Sequence, residues 1–200
     1  GTALTSDAGI RYEDLNAAVV APCLAALQQS PDANTVSACA NRLAQAALRQ
    51  PPAECTATTQ LSNLLRNLAS AEQRLLQARL AVSKATQAAG ESETRAKQWL
   101  KPNAFGHTSP ALYHNAVNAG KQKCQAAEAE LHAARDYYTL LLSTTNDTIQ
   151  GLELAGKPEV SESLTAATSA IVERSKRSVP GEASEYGKQL VGGLALLGLI

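Results

Sequence analysis

Beginning at Leu61, small and apolar residues recur at Leu61, Leu64, Leu68, Ala71, Leu75, Ala78, Val82, Ala85 and Ala89, in steps that alternate between three and four. That is the 3.5-residue period of a helix buried continuously along one side against another helix. The seam falters at Ser92 and resumes at Ala96 and Trp99, and Gly90 marks a place where the helix can bend. A second seam runs Tyr113, Val117, Gly120, Cys124, Ala127, Leu131, Ala134, Tyr138, Leu141, Thr145, Thr148, Leu152 and Ala155, again in fours and threes throughout. Helices of about 45 residues are each roughly 65 Å long. The stretch from Lys101 to Pro110 joins them as an antiparallel hairpin.

Composition points the same way. The chain holds 38 Ala and 27 Leu against 13 Val plus Ile, and 4% aromatics, which is helix-forming material and poor strand material. The fold class expected is all-α: an elongated antiparallel helical bundle built on a long hairpin, about 56–100 and 110–156, with shorter N- and C-terminal helices. The whole chain, 1–200, reads as one domain. Residues 1–50 form a short hairpin, with Asp7 capping a helix that runs to about Gln29 and Asp32 or Asn34 capping the next, which ends before Pro51. Residues 55–156 form the long hairpin, and 160–200 supply the C-terminal helices. Eighteen basic and eighteen acidic residues cancel, which excludes the electrostatic footprint of a nucleic-acid binder.

Four cysteines, Cys23, Cys39, Cys55 and Cys124, form no C-x-x-C pair, so zinc-ribbon and thioredoxin readings lose their support. Their even number in a helical chain fits two disulfides and an oxidising compartment. Cys23 and Cys39 lie at equal distances from Pro31, so antiparallel helices joined there place them at one level. That pairing leaves Cys55 with Cys124, which a straight hairpin holds far apart. The alternative is Cys39 with Cys55 and Cys23 with Cys124. Asn146-Asp147-Thr148 is a glycosylation sequon that marks Asn146.

The end of the sequence, Leu190 to Ile200, reads LVGGLALLGLI. It is too short to span a bilayer as a helix, which takes about 20 residues. It suits either a final helix packed on the bundle or the apolar tail of a lipid-anchor signal, with Ser178 to Lys188 as spacer.

Catalytic patterns are lacking: no phosphate-binding glycine loop, no G-x-S-x-G, no H-E-x-x-H and no paired Glu-x-x-His. Glu128, His132 and Asp136 share one helix face and read as surface charge pairing rather than a metal site. Arg174, Lys176 and Arg177 read as a basic helix end, and Tyr137 and Tyr138 as core or groove residues. The expectation is a protein that is not an enzyme and takes no cofactor or metal. One place concentrates binding chemistry: Trp99, Phe105 and His107, with Tyr113 just beyond, gather the only Trp and the only Phe at the turn of the long hairpin. They are the candidate ligand contacts, and the competing reading is a cap that seals the bundle, with Trp99 plugging the seam next to Ala96.

High alanine content, the long hairpin, the added N-terminal helical segment, few cysteines and the apolar end together resemble the helical surface proteins of African trypanosomes. The opening Ala3-Leu4-Thr5 through Ala21-Pro22-Cys23-Leu24 is similar to the start of variant surface glycoproteins. The length is more similar to the glutamic acid/alanine-rich protein, related alanine-rich coat proteins and the haptoglobin–haemoglobin receptor. The resemblance implies a coat protein on the extracellular face of the plasma membrane. It would be held by a lipid anchor rather than a transmembrane helix, among neighbouring copies of itself, shielding the membrane and mediating attachment. It equally implies a receptor for a host protein. A lipid-binding amphipathic bundle is a further alternative, disfavoured by narrow, Ala-rich seams.

Overall fold

Asparagine, aspartate, proline and glycine punctuate the chain where the structure, a computed structural model, starts and stops its helices. It describes residues 10–30 and 32–177. After a 3-10 turn at Tyr12–Asp14 come α1 (Ala17–Gln29), α2 (Ala33–Ala47), α3 (Pro52–Ala96), a 3-10 turn at Lys97–Leu100, α4 (Pro110–Leu154) and α5 (Pro158–Ser175). Every regular element among the described residues is helical, as expected for an all-α bundle. The two long helices are 45 residues each. Helix α3 lies four residues N-terminal of its expected span because Pro52 opens it, a place where a missing N–H costs nothing. Its final turn tightens to 3-10 geometry. Gly90 does not interrupt it.

The first cap differs from expectation. Asp7 lies outside the described residues, and α1 starts only at Ala17, where the Asn16 side chain accepts the Ala18 N–H at 3.1 Å. The second cap is Asp32, not Asn34. Its carboxylate accepts the Thr35 N–H at 2.7 Å and the Thr35 hydroxyl at 3.0 Å. The Thr35 amide is the main reason that this carboxyl titrates below its usual range.

The described residues fall into two compact units, 10–73 with 136–177, and 74–135. In the first, α1 packs on α2 and α5. Successive helices run antiparallel through short connections. Ser62 Oγ donates to the Ala40 carbonyl at 2.6 Å between α3 and α2. Gln28 Nε2 donates to Ser163 Oγ at 3.0 Å between α1 and α5. Gly156 sits at φ +74° between α4 and α5, a left-handed position suited to glycine at a helix C-terminus. The seam residues Leu61, Leu64, Leu68 and Ala71 are buried, but so are Ser62, Leu65, Ala69 and Glu72. That doubled stripe follows from α3 meeting α2 at one side and α5, through Glu72 and Arg174, at another.

Cys23 and Cys39 are bonded, with Cα atoms 5.5 Å apart, as their placement about Pro31 leads one to expect. The second bridge is not present in either arrangement. Cys55 and Cys124 are free thiols. With Cys23 and Cys39 joined to each other the alternative pairing is closed, and Cys55 belongs to the first unit while Cys124 belongs to the second.

The second unit is a hairpin of the remaining stretches of α3 and α4. Arg74 meets Glu130 in a two-point ion pair at 2.8 and 3.2 Å, and Tyr113 OH donates to Glu93 Oε1 at 3.1 Å. Between them Gly120 faces Ala89 so closely that a Cβ there would stand 3.1 Å from the Ala89 Cβ. Positions rise along α3 as they fall along α4, which is the antiparallel register. Leu75, Ala78 and Val82 are buried, whereas Ala85, Ala89, Val117, Gly120 and Cys124 are half-buried. Small seam residues bring the helices close together and bury little area each.

Among the described residues no helix is long and apolar enough to cross a membrane. The expected anchor segment and spacer, 178–200, lie outside the described residues.

Candidate functional site

The turn between α3 and α4 is organised by one side chain. Asn103 Oδ1 accepts the N–H groups of Phe105 at 2.9 Å and His107 at 3.0 Å. The Asn103 carbonyl takes the Gly106 N–H at 2.9 Å, and its own N–H donates to the His107 carbonyl at 2.8 Å. Gly106 supplies the left-handed residue, φ +75°, that closes this turn. The Ser109 N–H then reaches back to the Trp99 carbonyl at 2.8 Å, tying the two ends of the loop together. An Asx-type turn of this kind is what asparagine favours, because its side chain substitutes for a backbone acceptor.

The loop holds Trp99, Phe105 and His107 on the surface. Phe105 is 84% exposed and Trp99 42%, and the buried seam position next to the turn is Ala96. Tyr113 stands apart from the other three. It is half-buried one turn into α4, with its hydroxyl on Glu93 and its ring edge-on to His114 at 5.4 Å. The hydrogen bond to Glu93 is the main cause of a phenol pKa raised above the ordinary value.

Two further exposed aliphatics, Leu100 and Leu112, flank the turn. Sequence reasoning missed them because it followed aromatics alone. It also missed the local charge. From residue 94 to residue 127 there is no acid, while Arg95, Lys97, Lys101, Lys121 and Lys123 are cations. The even total charge conceals that segregation, which a windowed count along the chain reveals.

Elsewhere the polar groups serve packing. Arg174 Nε and Nη2 both donate to the buried Glu72 carboxylate at 2.8 Å. Tyr138 OH donates to Ser175 Oγ at 3.3 Å, and burial pushes its pKa up to about 12. His132 Nδ1 lies 2.7 Å from Arg135 Nη2. Among the described residues no three His, Cys, Asp or Glu side chains are placed to hold a metal. An open groove of about 230 Å³ in the second unit is lined by Ala89, Glu93, Val117, Lys121, Cys124, Gln125 and Glu128. Asn146 is exposed on α4, and the Thr148 hydroxyl of its sequon donates to the Thr144 carbonyl at 2.9 Å.

No family model, no curated protein and no solved structure matches the chain.

Proposed function

We propose that this is a non-enzymatic cell-surface protein whose helical framework presents the α3–α4 turn for attachment, in the manner that the resemblance to lipid-anchored helical surface proteins implies. One observation carries the reading: Phe105 is exposed on a loop whose backbone is fixed by Asn103, with the partly exposed Trp99 at the base of that loop. Exposed aromatics on a rigid turn are costly to keep in water and are characteristic anchors of contact surfaces. The host protein or surface that they meet is the partner expected of the receptor reading. The exposed turn favours a role in attachment over passive shielding. In this setting the apolar run from Leu190 to Ile200 is the lipid-anchor signal of the precursor.

The test is the double substitution Trp99→Ala/Phe105→Ala. Thermal stability stays that of the parent while attachment to target cells is lost. Loss of stability together with unchanged attachment would return the two rings to a structural role. Release of the protein from intact cells by a phosphatidylinositol-specific phospholipase tests the anchor separately.

A further inference from the structure

The exposed side chains of the α3–α4 turn, its charge and its backbone share one property: each suits the interface between water and an anionic bilayer. Of the seven large hydrophobic residues exposed among the described residues, four lie here: Trp99, Leu100, Phe105 and Leu112. Beside them in sequence stand Arg95, Lys97 and Lys101, none of which forms an ion pair among the described residues. The nearest acids along the chain are Glu93, which receives the Tyr113 hydroxyl, and Glu128. Exposed apolar residues interspersed with basic ones, and no acid between, is the pattern of segments that seat in a headgroup layer.

The backbone adds an independent argument. A loop entering that layer must give up water, and each N–H left without a partner opposes entry. Here the N–H groups of Lys101, Asn103, Phe105, Gly106, His107 and Ser109 all donate within the loop itself, and Pro102 has none to satisfy. Of the N–H groups from Lys101 to Ser109, only those of Ala104 and Thr108 are left to water, so entry strands fewer donors than an open loop would. Phe105, in the middle of the loop, is the most exposed of the four apolar residues and so is placed to enter the layer first.

We infer that the α3–α4 turn is a membrane-contact surface, in which Trp99, Leu100, Phe105 and Leu112 seat among the headgroups of an anionic bilayer and Lys97 and Lys101 face its charge. This deepens the reading of the turn as the attachment site, and rests on it. Trp99 is the only tryptophan in the chain, so the unmodified protein reports on its own turn. With vesicles of phosphatidylcholine containing one-third phosphatidylserine, Trp99 emission shifts to the blue and is quenched by brominated acyl chains. Phosphatidylcholine alone gives no shift, and added salt weakens binding. Each basic residue near such a surface contributes about fivefold, so Lys97→Glu/Lys101→Glu lowers partitioning about twentyfold or more. Phe105→Ala, which leaves the reporter in place, lowers it severalfold with an unchanged melting temperature. An emission spectrum indifferent to anionic vesicles overturns the proposal, as does binding that ignores both variants. If vesicles are ignored while cell attachment still requires Trp99 and Phe105, the lipid assignment fails and the attachment reading stands. Phe105-dependent binding to polyglutamate without binding to vesicles would assign an acidic polypeptide instead and overturn the lipid proposal.

Discussion

Arg174 grips Glu72 through two parallel hydrogen bonds of 2.8 Å, across 102 residues of sequence, with 3% of the Glu72 side chain and 24% of the Arg174 side chain exposed. A planar guanidinium meeting a carboxylate edge-on is the strong form of this contact. It also holds the Arg174 guanidinium above its ordinary pKa. Removing one partner strands a desolvated charge, whereas removing both leaves apolar surface in its place. Arg174→Met should therefore cost about 3 kcal/mol, and Glu72→Leu/Arg174→Met should recover most of it. Urea midpoints of the two variants check this, and equal losses in both would mean that the pair itself, not the stranded charge, carries the effect.

Tyr138 sets an alkaline limit. Burial raises its pKa from the ordinary 10.0 to about 12, so the folded state favours the neutral phenol. A raised folded pKa contributes stability that is complete below pH 10 and is lost as pH climbs through 12. The full contribution is on the order of 2 kcal/mol. Stability measured from pH 9 to 12 should fall across that window, and Tyr138→Phe should flatten this part of the profile.

Two glycines inside long helices should respond oppositely to alanine. At Gly90 a new Cβ meets nothing within 4 Å, and Gly90→Ala should stabilise by about 0.5–1 kcal/mol through helix propensity. At Gly120 it meets the Ala89 Cβ at 3.1 Å and the Ala89 Cα at 3.4 Å, so the two helices must part slightly. Gly120→Ala should lose the propensity gain or lower the melting temperature. A gain equal to that at Gly90 would show that the helices separate without cost.

Asn103→Ala removes the acceptor for the Phe105 and His107 amides. Hydrogen exchange at those two amides should accelerate by about fivefold, in line with a net bond of about 1 kcal/mol, while amides in α1 and α5 keep their protection.

Thiol labelling of the native, unreduced protein should find two reactive cysteines, Cys55 and Cys124, and leave Cys23 and Cys39 unmodified. Cys23→Ser/Cys39→Ser opens a loop of sixteen residues and should cost about 3 kcal/mol. Labelling of all four would place the native chain in a reduced state.

The long hairpin is legible because its signal is redundant: two seams, of nine and thirteen positions, outvote any single residue. Caps are decided by one residue each, so the sequence offers Asp32 and Asn34 alike for α2, and Asp7 as readily as Asn16 for α1. The Cys23–Cys39 bond could be read because both cysteines are measured from one breaker, Pro31. Cys55 and Cys124 had no such local ruler. Of the candidate contact residues, Trp99, Phe105 and His107 stood out by rarity, but rarity could not separate a buried plug from an exposed anchor. Exposure depends on where the helices stop, and Ala96, not Trp99, turned out to be the last buried residue of α3. The Glu72–Arg174 pair was invisible for a different reason: it joins distant helices, and no spacing along the chain encodes it.

Helix α5 gives the first unit a particular folding order. Its contacts return to α1 across 135 residues, at Gln28 and Ser163, and to α3 across 102, at Glu72 and Arg174, whereas α1 and α2 are bridged across only 16. Short hairpins are found by local search, while contacts between remote segments form slowly because long loops must close before any gain is realised. Docking of α5 is thus expected to come late in the folding of the first unit. Until it happens, α1 and the neighbouring stretch of α3 keep a wet face, and the arrival of α5 is what turns a row of adjacent hairpins into one cooperative core.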